Sequence, residues 1–248
     1  DLEALADKVN KAKGNVYVVV ESVYSMDGDA APLTEIARFC KENNAALIVD
    51  EAHAVGVFGN GKGLCSELNI ENDVFVRVVT FGKAYGCHGA VILGSNELRA
   101  YLINFSRPFI YTTALPLPSI LSIKKAHEFL NENLDRVEKL KENIKYFKSL
   151  IINYQLPIIN SESAIQCIII PGNKDVKLLA EAIQEQGFDV RAILSPTVPK
   201  GEERLRICIH SFNTKEQIEN LLTCLGEASP LEGRLRGVKK GSLFHFSL

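Results

Sequence analysis

Three side chains that can do chemistry stand where apolar runs stop. Val74, Phe75, Val76, Arg77, Val78 and Val79 lead into Thr80, Phe81, Gly82 and Lys83, which places an amine at the mouth of a predicted buried strand. Upstream, Ala45 to Val49 forms a second run that ends in Asp50, Glu51, Ala52 and His53. In an open parallel sheet, ligands gather beyond the carboxyl ends of the strands, where the helical crossovers part. An amine there can add to a carbonyl, a carboxylate can sit beside a heterocyclic nitrogen, and an imidazole can donate to a phenolic oxygen. Pyridoxal phosphate (PLP) needs that set of partners, together with donors for its phosphate.

Singly, each residue has an ordinary reading. A lysine at a strand end is usually a solvated charge, an aspartate after a strand is often a helix cap or turn residue, and a lone histidine is most often hydrogen-bonded packing. The conjunction shifts the balance, because glycine-rich turns follow both groups, Gly56 to Gly61 and Gly86 to Gly89. Glycine lets the backbone approach a ligand or take a positive φ. A rival lies in the letters of Asp50-Glu51-Ala52-His53, the signature of one helicase group. That reading needs an upstream phosphate loop of the form GxxxxGK followed by Ser or Thr. The pair Gly61–Lys62 instead lies downstream and is followed by Gly63. With 28 basic against 30 acidic residues and a net charge of −2, the chain also lacks the basic character of a nucleic-acid tracker.

Three longer stretches, Glu21-Ser22-Val23-Tyr24-Ser25-Met26-Asp27-Gly28-Asp29-Ala30-Ala31-Pro32-Leu33, Asp50-Glu51-Ala52-His53-Ala54-Val55-Gly56 and Thr80-Phe81-Gly82-Lys83-Ala84, resemble the α-oxoamine synthases, in order and across positions 1 to about 228. The resemblance implies an α/β chain of PLP-dependent transferase fold type I (aspartate aminotransferase-like), with a partial large domain and a smaller α+β C-terminal domain. It implies decarboxylative condensation of an amino acid with an acyl thioester, in a homodimer whose active site lies at the subunit interface. Arg107 to Pro116 is most similar to the members that join L-alanine to a pimeloyl thioester in biotin biosynthesis. Members that use glycine or serine remain open, since the motifs around the cofactor barely separate them.

Carried over position by position, the resemblance gives Lys83 the imine with the cofactor and proton transfer at the α-carbon, a task suited to a lysine of lowered pKa. Asp50 would pair with the pyridine nitrogen, His53 with the phenolic oxygen, Ser25 with the cofactor and Thr80 with its phosphate, while Ala52 would offer a small face to the ring. Arg206, in Leu205-Arg206-Ile207, would hold the amino-acid carboxylate with its bidentate fork, and Thr197 would touch substrate. Without the resemblance, Arg206 reads equally as a solvent-facing strand residue. Family members continue upstream of position 1 with the glycine turn that cradles the phosphate at a helix N-terminus and the aromatic residue that stacks on the ring. This chain therefore reads as N-terminally truncated, with an incomplete site and doubtful catalysis alone. A non-catalytic fold serving as an assembly or binding module is the second reading.

The elements that must hold these groups follow the same runs. Strands are expected at Val16–Val20, Ala45–Val49, Val74–Val79 and Ala90–Leu93, with a helix over Leu33–Glu42. This order favours a parallel, helix-covered sheet. After Leu115-Pro116-Leu117-Pro118, a charged amphipathic helix should run from about Ser119 to Leu150 with an interruption near Asn133. Strands at Ala164–Ile170, Phe188–Ala192 and Leu205–Ile209 then alternate with helices at Val176–Gln186 and Lys215–Leu225. The expected division is 1–115 for part of the PLP-binding domain, 116–230 for the linking helix and small domain, and 231–248 for a tail outside the family pattern that reads as a flexible extension.

Composition frames the rest. With 248 residues, 46% hydrophobic and 23% charged, the chain can bury a sizeable core. No apolar stretch approaches the roughly 20 residues that span a bilayer. Six scattered cysteines form no CxxC pair or metal-ligand spacing, so no metal site is expected and reduced thiols in a cytoplasm are.

Overall fold

β-branched runs pair first. In the computed structural model, which describes residues 1–228, helix α1 (Leu2–Lys11) precedes β1 (Tyr17–Glu21), α2 (Leu33–Glu42), β2 (Ala46–Asp50), a short α3 (Leu64–Glu67), β3 (Val76–Thr80) and β4 (Ala90–Leu93). The sheet order is β1-β2-β3-β4, with β1, β2 and β3 parallel and β4 antiparallel to β3. α2 covers one face because its apolar residues recur at helical spacing: Leu33, Ile36, Ala37 and Cys40 are buried in the same cluster as Val18, Leu47 and Val49. On the opposite face β1 is open to solvent, with Tyr17 56% and Val19 67% exposed.

The antiparallel β4 corrects the expectation of an all-parallel sheet. A parallel return needs a crossover of a dozen or more residues, and only the loop from Phe81 to Gly89 joins β3 to β4. That loop is closed by Phe81 N–H to the Gly89 carbonyl (2.9 Å) and Cys87 N–H to the Phe81 carbonyl (2.7 Å). Lys83 thus rides on a hairpin, not on a strand-to-helix crossover.

The chain continues through α4 (Asn96–Phe105), α5 (Arg107–Ile110), α6 (Leu117–Glu132) and α7 (Asp135–Ile151), so the predicted long helix breaks at Asn133–Leu134 as expected. A second sheet holds β5 (Ile165–Ile169), β6 (Arg191–Ile193) and β7 (Arg204–Cys208) in the order β5-β7-β6, all antiparallel, with α8 (Asn173–Glu185) and α9 (Lys215–Ala228). α9 begins on a capping box: Gln217 N–H donates to Thr214 Oγ1 and Thr214 N–H to Gln217 Oε1, both 3.1 Å. The strand predicted at Phe188–Ala192 starts later, because Phe188 N–H still bonds the Ile183 carbonyl at the end of α8. Buried stripes on α7 (Leu140, Ile144, Phe147, Ile151), α8 (Val176, Leu179, Ile183) and α9 (Ile218, Leu222, Leu225) join the cluster formed under β1 and β2, so one core serves both sheets. The tail 231–248 lies outside the described residues.

Candidate active site at the strand ends

Register sets the first row of the site. Glu21 of β1 lies beside Asp50 of β2, both last in their strands, and β3 ends next to them in Thr80. Polar groups from three parallel strands therefore leave the sheet at one edge, the place where such sheets bind ligands. The β3–β4 loop brings Lys83 to that edge, and the turn after β2 brings His53.

Electrostatics shows which groups lie within range of one another's charge. The His53 imidazole is held down to about 4 by burial first, then by the charges of Lys83 and Arg206, with Asp50 opposing them. His53 is therefore neutral at pH 7 and has a ring N–H to donate. The Lys83 amine is lowered by burial, against the pull of Asp50 and Glu21 and with a further push from Arg206. His53 and Lys83 thus each feel the charges of Asp50 and Arg206, although Arg206 comes from β7 of the other sheet.

Local contacts fix the members. Asp50 Oδ1 accepts from the Ala52 N–H at 2.8 Å, which tightens the turn into His53. Ala52 is buried. Thr80 Oγ1 is buried with no hydrogen-bond partner, an arrangement that costs free energy unless a ligand acceptor meets it. Ser25 enters through its backbone: its carbonyl accepts from Arg206 Nε at 2.9 Å. Thr197 is exposed on the loop between β6 and β7.

Several residues of this constellation were passed over at the sequence level. Glu21 could have been found, since it ends an apolar run as Asp50 does. Glu51 is fully buried: Oε1 accepts from Cys65 N–H (2.8 Å), and Oε2 from Arg77 Nε (2.6 Å), whose Nη2 donates to the Lys62 carbonyl (2.7 Å). Gly63, at φ +107°, lies so close that a Cβ would stand 2.6 Å from Glu51 Oε1. The signal was the charge of Arg77 inside an apolar run. Gly56, at φ +84°, has the same role against the lysine loop, where a Cβ would meet Ala84 Cβ at 2.4 Å. Phe81 and Tyr85, which flank Lys83, pack on His127 of α6, and the Tyr85 hydroxyl meets His127 Nδ1 at 3.2 Å.

Strand-end carboxylates, a lysine on the following hairpin and an unpartnered threonine hydroxyl define a site of one class. The chain belongs to the aminotransferase class I and II family, whose sequence pattern matches residues 1–225. Among curated relatives it is similar to the 8-amino-7-oxononanoate synthase of Emericella nidulans, 40% identical over 242 residues (89% of this chain, 56% of the relative), and to that of Pectobacterium atrosepticum, 38% identical over 228 residues (92% and 58%). Two solved structures share its fold. The 8-amino-7-oxononanoate synthase of Francisella tularensis is 29% identical with a TM-score of 0.79, covering 94% of this chain and 68% of its own. A serine palmitoyltransferase of S. paucimobilis with a bound PLP–myriocin aldimine is 26% identical with a TM-score of 0.88, covering 95% and 60%. The chain spans under three fifths of the length of these two curated relatives. The resemblance read from the three motifs, and the fold type with it, is borne out.

Proposed function

We propose that the protein to which this chain belongs is a PLP-dependent acyltransferase that condenses L-alanine with a pimeloyl thioester and releases 8-amino-7-oxononanoate, carbon dioxide and CoA or a carrier protein. The observation that carries the reading is the convergence of Lys83, Asp50, His53 and Arg206 on one edge, from two sheets. The names of the curated relatives select the substrates. Glycine C-acetyltransferase, 5-aminolevulinate synthase and serine palmitoyltransferase activities are the alternatives, the last favoured by the fold shared with the serine palmitoyltransferase.

The residues fit the cofactor. Thr80 offers a buried, unpaired hydroxyl for the phosphate, Asp50 a carboxylate for the ring nitrogen, neutral His53 a donor for the phenolic oxygen, and buried Ala52 a small face. When bound, PLP withdraws electrons from the amino acid's α-carbon so that a proton can leave it. Lys83 would be the residue that holds the cofactor and would move that proton, a task helped by an amine whose affinity for protons burial has weakened. Asp50 would hold the ring nitrogen in its protonated form. Arg206 binds the substrate carboxylate through its terminal nitrogens and so orients the α-carbon toward Lys83. Ser25 borders this space, and we assign Thr197 a substrate contact that its loop would have to move to make.

The bare apolar residues of α4, α5, α6 and the turn after α5, including Tyr101, Phe105, Phe109, Tyr111 and Leu121, support pairing with a second copy of the protein. Sedimentation at micromolar concentration should give twice the monomer mass. All six cysteines are free, which suits the reducing cytoplasm, and no helix among the described residues is long and apolar enough to cross a membrane. We assign residues 1–115 to the cofactor-binding domain and 116–230 to the linking helix and small domain.

PLP titration tests the reading. A visible absorbance band should form, vanish in Lys83→Ala, and after borohydride reduction leave a mass increment on the Lys83 peptide. Absence of that increment at saturating PLP would support the binding-module alternative. Turnover with alanine, glycine and serine against several acyl thioesters ranks the substrates.

A further inference from the structure

The turn after β1 is held at four consecutive residues by the second sheet and the segment leading into β5. The Ser25 carbonyl accepts from Arg206 Nε (2.9 Å), the Met26 carbonyl from Cys167 Sγ (3.2 Å), and the Gly28 carbonyl from Ser161 Oγ (2.7 Å), while the Asp27 carboxylate pairs with the Arg204 guanidinium. Gly28, at φ +77°, comes so close that a Cβ would stand 2.4 Å from the Ile165 carbonyl oxygen. The turn closes on itself through Gly28 N–H to the Tyr24 carbonyl (2.8 Å) and Tyr24 N–H to the Asp29 carbonyl (2.9 Å), so it moves as a unit.

Arg204 and Arg206 lie two residues apart on β7 and project to the same side. Their environments differ. The Arg204 side chain is 4% exposed and holds Asp27, with Glu202 as a longer second partner at 3.6 Å, and weakening the partnership of a buried guanidinium is unfavourable. Arg206 is half-buried, its Nε is taken by Ser25, and among the described residues it has no ion pair. One arginine is thus spent on the turn, and the turn in turn occupies the inner nitrogen of the other.

We propose that Arg204, through Asp27, is a positioning residue for Arg206: the buried pair docks the 25–28 turn on β7, and the docked Ser25 carbonyl turns the Arg206 fork so that its terminal nitrogens are presented to a substrate carboxylate. This deepens the role given to Arg206 above and rests on it. Met26 and Gly28 secure the same seat, so the turn cannot rise at one residue alone.

The test is Asp27→Asn, Arg204→Leu and Arg204→Lys in the full chain loaded with PLP. Asp27→Asn and Arg204→Leu should raise KM for the amino acid about tenfold or more, with a smaller change in kcat, as expected for a misaligned bidentate grip. Arg204→Lys should recover part of the loss. A second readout needs no cofactor. Cys167 lies beneath the turn, fully buried, with its thiol pushed up to about 12 by burial, so iodoacetamide should label it several-fold faster once the turn lifts, as it should in a Gly28→Ala control. If Arg204→Leu does not fold, Asp27→Asn decides, since its side chain is 39% exposed. An open Cys167 with unchanged KM would overturn the positioning role, and unchanged labelling with unchanged KM would overturn the docking itself. Should the wild-type protein bind no amino acid, the carboxylate role of Arg206 falls. Phenylglyoxal modification of Arg206 and labelling of Cys167 then still decide the proposal, and unchanged rates in Asp27→Asn reject it.

Discussion

His53 gives the site a measurable acid limit. Its folded value of about 4 lies below the ordinary 6.5 of an unfolded chain, so between these values the unfolded state binds more protons, and stability falls as pH drops through the window. His53→Gln removes that liability. The variant should lose less melting temperature than wild type between pH 6.5 and 4, and equal losses would show that the imidazole is not buried beside Lys83 and Arg206. Gly56→Ala should act from the opposite side of the lysine loop. Positive φ and the 2.4 Å approach to Ala84 predict a cost of roughly 1–3 kcal/mol in chemical denaturation, with altered reactivity of the Lys83 amine toward acylating reagents. Much of the site was legible in the residues, because Asp50, His53 and Lys83 each follow an apolar run. Glu21 obeyed the same rule and went unread, and the backbone role of Ser25 has no mark in a side chain.

At the level of elements, the ends of β2 and β3 depend on a charge pair hidden under the site. Glu51 is fully buried and Arg77 nearly so, and together they bind the Lys62 and Cys65 backbone. Removing Arg77 leaves an uncompensated carboxylate, which costs roughly 3–5 kcal/mol. Arg77→Met should therefore destabilise the protein severely, and adding Glu51→Gln should restore part of the loss. Additive losses in this double-mutant cycle would deny the pairing. Strands and helices were read nearly in place because their apolar spacing is regular. The direction of β4 was not, because strand pattern carries no sign; the brevity of the Phe81–Gly89 loop did, and a count of its residues against a crossover would have supplied it. The late start of β6 was likewise hidden, because it follows from the Phe188 N–H bond that closes the end of α8.

For the molecule as a whole, the two sheets are separate while most of the buried apolar residues lie in one cluster that reaches both. One hydrophobic cluster runs from Val18 under β1 to Leu225 on α9. Calorimetry should therefore show a single unfolding transition whose van't Hoff and calorimetric enthalpies agree; two separated peaks would mean that the sheets melt independently. No sequence pattern announces this, since helix stripes on α7, α8 and α9 show which face is apolar and not which neighbour it meets.

That shared apolar layer also restricts how the two halves can respond to a bound molecule. Swinging apart about a hinge would open a continuous oily seam to water, whereas small sliding of packed helices keeps it shut. Relative motion of the two sheets is thereby steered toward small shear, limited by the Ser25–Gly28 turn that is pinned to β7.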